Sequence, residues 1–79
     1  MSSKFVKKNI ELSLEFDRYL AKHPDALEKI PQGACVIITQ KGAQAFNKES
    51  RSLATKIKQK CIEARKEGSR WTLQPFAVV

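Results

Sequence analysis

The spacing of apolar positions changes along the chain, and each change marks an element boundary. From residue 9 the spacing is helical: Leu12, Phe16, Tyr19, Leu20 and His23 fall on one face at about 3.6 residues per turn. Ile10 and Leu14 form a second, adjacent stripe. An apolar arc that wide suits a helix with a core on one side and a second neighbour or subunit on the other. Asn9 is a good N-cap, and Glu11 suits the positive end of the helix dipole. Residues 1–8 read as a loose lead-in, in which Phe5 and Val6 can still pack. Pro24 interrupts the helix, and "HPDALEKIP" reads as a short second one with Leu27 and Ile30 inward and Pro31 closing it.

The pattern then becomes that of a strand. Ala34 to Thr39 is a continuous apolar, β-branched run without alternation, as in strands covered on both faces and paired in parallel. A polar loop with Gly42 follows. Helical spacing resumes in "NKESRSLATKIKQKCIEARKEG", with Phe46, Ser50, Leu53, Ala54, Ile57, Cys61 and Ala64 on one stripe. This predicts a long helix over 47–68 with Gly68 as its left-handed terminator. "RWTLQPFAVV" reads as a last strand, an edge strand because Pro75 cannot donate to a ladder. The expected fold is a small single α/β domain, an N-terminal helix pair packed on a βαβ unit with a short parallel sheet. A two-stranded sheet is marginal alone, which points to oligomerisation.

At 79 residues the chain is one small domain with a thin core. No apolar run approaches the roughly 20 residues of a membrane span, and the N-terminus lacks a signal-peptide apolar region, so a cytoplasmic location is expected. The net charge is +7 and uneven: residues 1–40 hold six basic and five acidic side chains, residues 41–79 nine and three. That bias suggests a polyanion or an acidic protein surface as partner.

Catalytic chemistry finds little support. The loop after the first strand has neither GxGxxG nor GxxxxGK[ST], so no nucleotide cofactor is expected. Cys35 and Cys61 with a lone His23 lack metal-ligand spacing, and both thiols read as inert core residues without a disulfide. Ser50 and Ser52 lie within the predicted helix, and no carboxylate is fixed beside His23. The expectation is a non-enzyme with no metal and no cofactor.

On the predicted long helix Lys48, Arg51, Lys58, Arg65 and Lys66 oppose the core stripe, while Glu49, Glu63 and Glu67 line one flank. Arg51, Lys58 and Arg65, seven apart, would form one basic line able to hold phosphates. Ile62 lies among them, and an apolar residue beside Arg suits a protein interface better than a phosphate surface. Trp71, on the edge strand, is a second candidate anchor.

The block "NIELSLEFDRYLAKHPDALEKIPQGACVIIT" resembles a small bacterial family of unknown function. Its members open with an N-x-E-x-x-x-E-F-x-x-Y/F-L-x-x-H-P helix and continue with L-x-x-I-P-x-G-A and an apolar strand. Asn9, Glu11, Glu15, Phe16, Tyr19, Leu20, His23, Pro24, Leu27, Ile30, Pro31, Gly33 and Ala34 carry the match. The resemblance implies a small α/β fold, with no catalytic residues and no established activity, and loosely suggests toxin–antitoxin or mobile-element loci. The resulting expectation is a non-enzymatic interaction module, oligomeric and acting through a protein partner or itself, in an antitoxin-like or regulatory capacity. The alternative is a nucleic-acid-binding protein using the basic helix face.

Overall fold

Two helices lead into a strand–helix–strand unit, and a further strand folds back on it. The computed structural model describes residues 3–57 and 60–76. The order is α1 (Ser3–Lys22), α2 (Pro24–Glu28), β1 (Cys35–Gln40), α3 (Gln44–Lys56), β2 (Cys61–Glu67) and β3 (Arg70–Phe76). The sheet runs β1-β2-β3, with β1 and β2 parallel and β2 and β3 antiparallel. The architecture is the expected small single α/β domain, but the expected two-stranded parallel sheet is a mixed three-stranded one: the βαβ unit closes through α3 on β2, and the last strand, expected as the parallel partner of the first, pairs antiparallel with β2 instead.

The crossover is shorter than its periodicity suggested, and this corrects the long helix over 47–68. α3 ends at Lys56, and Ile57 already has extended backbone (φ −97°, ψ 126°). Residues 61–67 are the central strand. Cys61 and Ala64 matched a helical stripe, but both faces of this segment are covered, and burial between two strands overrides a weak local preference. No Gly or Pro lies between Lys56 and Cys61 to signal the break. Gly68 does adopt positive φ, 65°, in a different role. It is the first central residue of the two-residue turn between the paired Glu67 and Arg70, where a hairpin favours Gly.

α1 starts earlier than Asn9. Its described residues are helical from Ser3, because Phe5 packs its ring on Phe46 of α3 with centroids 5.1 Å apart. The lead-in is thus structured from Ser3 onward. In α2 it is Ala26 that is buried, whereas Leu27 is exposed and Ile30, just beyond, packs on the core.

Register sorts the sheet into two faces, since paired residues share a face. Val36, Ile38, Ala64, Lys66, Trp71 and Leu73 point one way, towards α1. There Phe5, Leu12, Phe16, Ile38, Phe46, Ala64 and Trp71 form the main core. Ala64 is fully buried, and the small side chain lets α1 approach the sheet. Ile37, Thr39, Cys61 and Glu63 point the other way, where Ala54 of α3 closes a smaller cluster with Ile37 and Cys61. The free edge of β1 is partly sealed by a side chain. Gln40 N–H donates to Asn47 Oδ1 at 2.8 Å, and Asn47 Nδ2 donates to Gln40 O at 2.8 Å. The amide thereby takes the place of a neighbouring strand.

Two anchors suggested by the sequence are core residues. Ile62 is 7% exposed and Trp71 9%: Ile62 sits on the central strand, and Trp71, on β3 at the edge of the sheet as expected, turns its ring into the core. The Trp71 ring lies 5.0 Å from that of Phe16 and 6.5 Å from that of Tyr19. Trp71→Ala is expected to cost about 3–5 kcal/mol, as for other buried aromatics cut to Ala. Urea denaturation checks this, and a loss below about 1 kcal/mol, the ordinary surface range, would contradict the placement.

Candidate interaction surfaces

The most constrained polar group is the carboxylate of Glu63, which the sequence had placed on a solvent-facing helix flank. It is 3% exposed and faces α3 from the centre of β2. Thr39 of β1, fully buried, donates its hydroxyl at 2.9 Å. Arg51 of α3 closes a two-point clamp, Nε on Oε1 and Nη2 on Oε2, both at 3.1 Å. Burial on its own would raise the carboxyl's pKa. The hydrogen bonds from Arg51 and Thr39, with the charges of Arg51 and Arg65, outweigh it and hold Glu63 below the ordinary carboxylate range. Only a salt-bridged position makes a charge tolerable there. No spacing rule finds this residue, because its partners lie on two other elements.

Arg51 therefore has a structural job. Its outer part stays open, at 42% side-chain exposure, and joins Lys48, Arg65, Gln44, Asn47 and Gly42 around a cleft of about 390 Å³. Three predicted site residues thus converge, although Lys48 and Arg51 come from α3 and Arg65 from β2. Lys58 lies outside the described residues. Lys66 is on the opposite face of β2, ion-paired with Glu15 of α1. The predicted single basic line is replaced by two separate surfaces.

The second surface runs along α1. Lys4, Lys7 and Lys8 with Lys66 border a cleft of about 440 Å³, and Arg18 and Lys22 with Tyr19, His23 and Trp71 border one of about 490 Å³. Glu15 and Lys66 line both, so the two meet there. His23 is the exposed end of an aromatic stack, 4.3 Å from Tyr19 between ring centroids.

A third surface is apolar. Val6, Ile10 and Leu14 are 44%, 55% and 53% exposed. Four apart, they form one ridge on the outside of α1. This is the second stripe read from the sequence, and no element among the described residues covers it.

The cysteines are neighbours, which their predicted placement in a strand and a helix did not anticipate. Cys35 and Cys61 are register partners on adjacent strands, and neither is in a disulfide. Burial first, then the neighbouring Cys61, pushes the Cys35 thiol up to about 11. A thiol so raised is a poor nucleophile at neutral pH. Among the described residues no group of three or more His, Cys, Asp or Glu side chains is placed to hold a metal ion. Nor is any helix among them long and apolar enough to cross a membrane.

These features define a small α/β domain with a buried ion pair and three separate surfaces. The chain belongs to a family of unknown function (DUF5647), whose model matches residues 4–63. That match runs from the start of α1 to Glu63 itself. No curated protein and no solved structure matches the chain.

Two measurements check the chemistry. Because Glu63 is held below its unfolded value, its contribution to stability is complete above about pH 5 and is lost as pH falls through its depressed folded pKa. Stability of the native chain is expected to drop over that acid range, with a shallower drop in Glu63→Gln. Arg51→Ala, which leaves the carboxylate buried and half-satisfied, is expected to cost about 1–3 kcal/mol at neutral pH. Equal acid slopes for the native chain and Glu63→Gln would contradict the clamp. Separately, a disulfide thiol reagent at pH 7 is expected to label Cys35 at least about a hundredfold more slowly in the native chain than in denaturant. Rapid native labelling would show the thiol to be open.

Proposed function

We propose that the protein is a non-enzymatic interaction module that self-associates through the outer face of α1. The observation that carries the reading is the Val6–Ile10–Leu14 ridge. The ridge is self-complementary: two α1 helices packed antiparallel about a two-fold axis at Ile10 bring Val6 of each against Leu14 of the other. Ser3 and Ser13 beside it are small and uncharged, while Lys7, Asp17 and Arg18 border it within one helical turn. The ridge residues themselves carry no charge, on a chain of net charge +7, and this suits a second copy better than an acidic partner. The small domain size supports the same reading, since a thin core gains from apolar area buried between subunits. The sheet does not require a partner strand, because β3 already makes it three-stranded.

Sedimentation equilibrium of the purified chain is expected to give a concentration-dependent mass approaching two chains. Ile10→Asp would place a carboxylate in the apolar contact at a cost of several kcal/mol, and is expected to return a folded monomer. A native chain that stays monomeric at millimolar concentration, or an Ile10→Asp protein that still dimerises, would overturn the proposal.

A further inference from the structure

We infer that the groove between α1 and the sheet binds single-stranded nucleic acid, with phosphates along Lys4, Lys7, Arg18 and Lys22 and a base against His23. This is a different side of α1 from the apolar ridge, and the inference does not rest on self-association. The two clefts lie end to end beside the helix and share Glu15 and Lys66, whose ion pair marks their junction. From Lys4 to Lys22 the helix rises about 27 Å, long enough for several nucleotides. Glu15, in the middle, is neutralised by its ion pair with Lys66, which leaves Glu11 as the opposing charge. The Lys4, Lys7 and Lys8 end and the Arg18 and Lys22 end flank that midpoint on either side.

Charge alone would suit any polyanion. The aromatic end selects among them. His23 is exposed and already stacked on Tyr19, and Tyr19 rests on Phe16 and Trp71. A ring held in such a stack offers its outer face at little cost in side-chain entropy, and stacking on it accepts any unpaired base. A duplex keeps its bases inside and gains nothing from this platform. An acidic peptide lacks the planar group, and a bilayer surface does not enter a channel. Among the described residues the lining of the separate cleft at Lys48, Arg51 and Arg65 includes no aromatic side chain, and Arg51 there is engaged with Glu63.

Fluorescence anisotropy tests this with the full chain and a short labelled oligothymidylate. The same oligonucleotide in duplex form, an oligoglutamate peptide and phosphatidylserine vesicles serve as competitors. Binding is expected at about 50 mM salt and should weaken along a straight line of log affinity against log salt towards about 200 mM. The combined Lys7→Gln, Arg18→Gln and Lys22→Gln variant should lose at least about tenfold in affinity and show a shallower salt slope, each lost phosphate contact removing about 0.7 from it. His23→Ala, a substitution at an exposed ring, should weaken binding by about fivefold or more with the slope unchanged. Lys48→Gln should bind as the native chain does. Absence of binding at low salt, stronger competition by duplex, peptide or vesicles than by unlabelled single strand, or full affinity in His23→Ala would each overturn the inference.

Discussion

A carboxylate in the middle of a central strand cannot reach water, so the elements around it have to be arranged to answer its charge. Glu63 meets that demand with one hydroxyl from β1 and one guanidinium from α3. Both partners are fixed by the register. A slip of β2 by one residue would turn Glu63 towards α1 and leave Arg51 opposite nothing. The parallel pairing of β1 with β2 and the seating of α3 across them thus depend on one clamp. Removing either side of it leaves a buried group unanswered, whereas an apolar replacement of the whole set need not destabilise. The arrangement therefore acts as a device of register as much as of stability.

The other organising element is α1, which divides its circumference among several tasks. Phe5, Leu12 and Phe16 bury one face against the sheet and α3. The Lys and Arg side chains border the channel, and Lys8 also caps the Phe46 ring at 5.1 Å. Val6, Ile10 and Leu14 remain outside. A helix of 20 residues in so small a domain has more surface than one core can cover. The proposed self-association and the proposed nucleic-acid channel use the two remaining sides, which adjoin where Lys7 and Arg18 border Ile10 and Leu14.

Much of the fold was legible in the sequence. The β-branched run up to Thr39 and the stripe of Leu12 and Phe16 gave the right elements, and RWTLQPF the right strand, although Trp71, read there as a surface anchor, is buried. The failure at 61–67 has a physical cause. Cys61 and Ala64, three apart, share one helical stripe but fall on opposite faces of a strand, and only the coverage of both faces by α1 and α3 lets the strand bury them both. That single misreading carried Ile62, Arg65 and Lys66 onto a helix exterior, and with them the idea of one basic line. The site was legible only in part: Lys48, Arg51 and Arg65 do meet, but through three-dimensional convergence and not by heptad spacing. Glu63 escaped because nothing local announces a charge whose partners lie 12 and 24 residues away. The ridge at Ile10 and Leu14, by contrast, was visible as a surplus of apolar positions on one helix.

The two proposed surfaces of α1 lie on either side of its core face and are proposed to work independently. Amide NMR correlation spectra, followed first on dilution and then on titration with single-stranded oligonucleotide, test that independence in one data set. The account predicts that dilution shifts the amides of Val6, Ile10 and Leu14, that the oligonucleotide shifts those of Lys22, His23 and Lys66, and that the two sets stay distinct. Shifts confined to α3 and β3 in both experiments, or no shift in either, would contradict it.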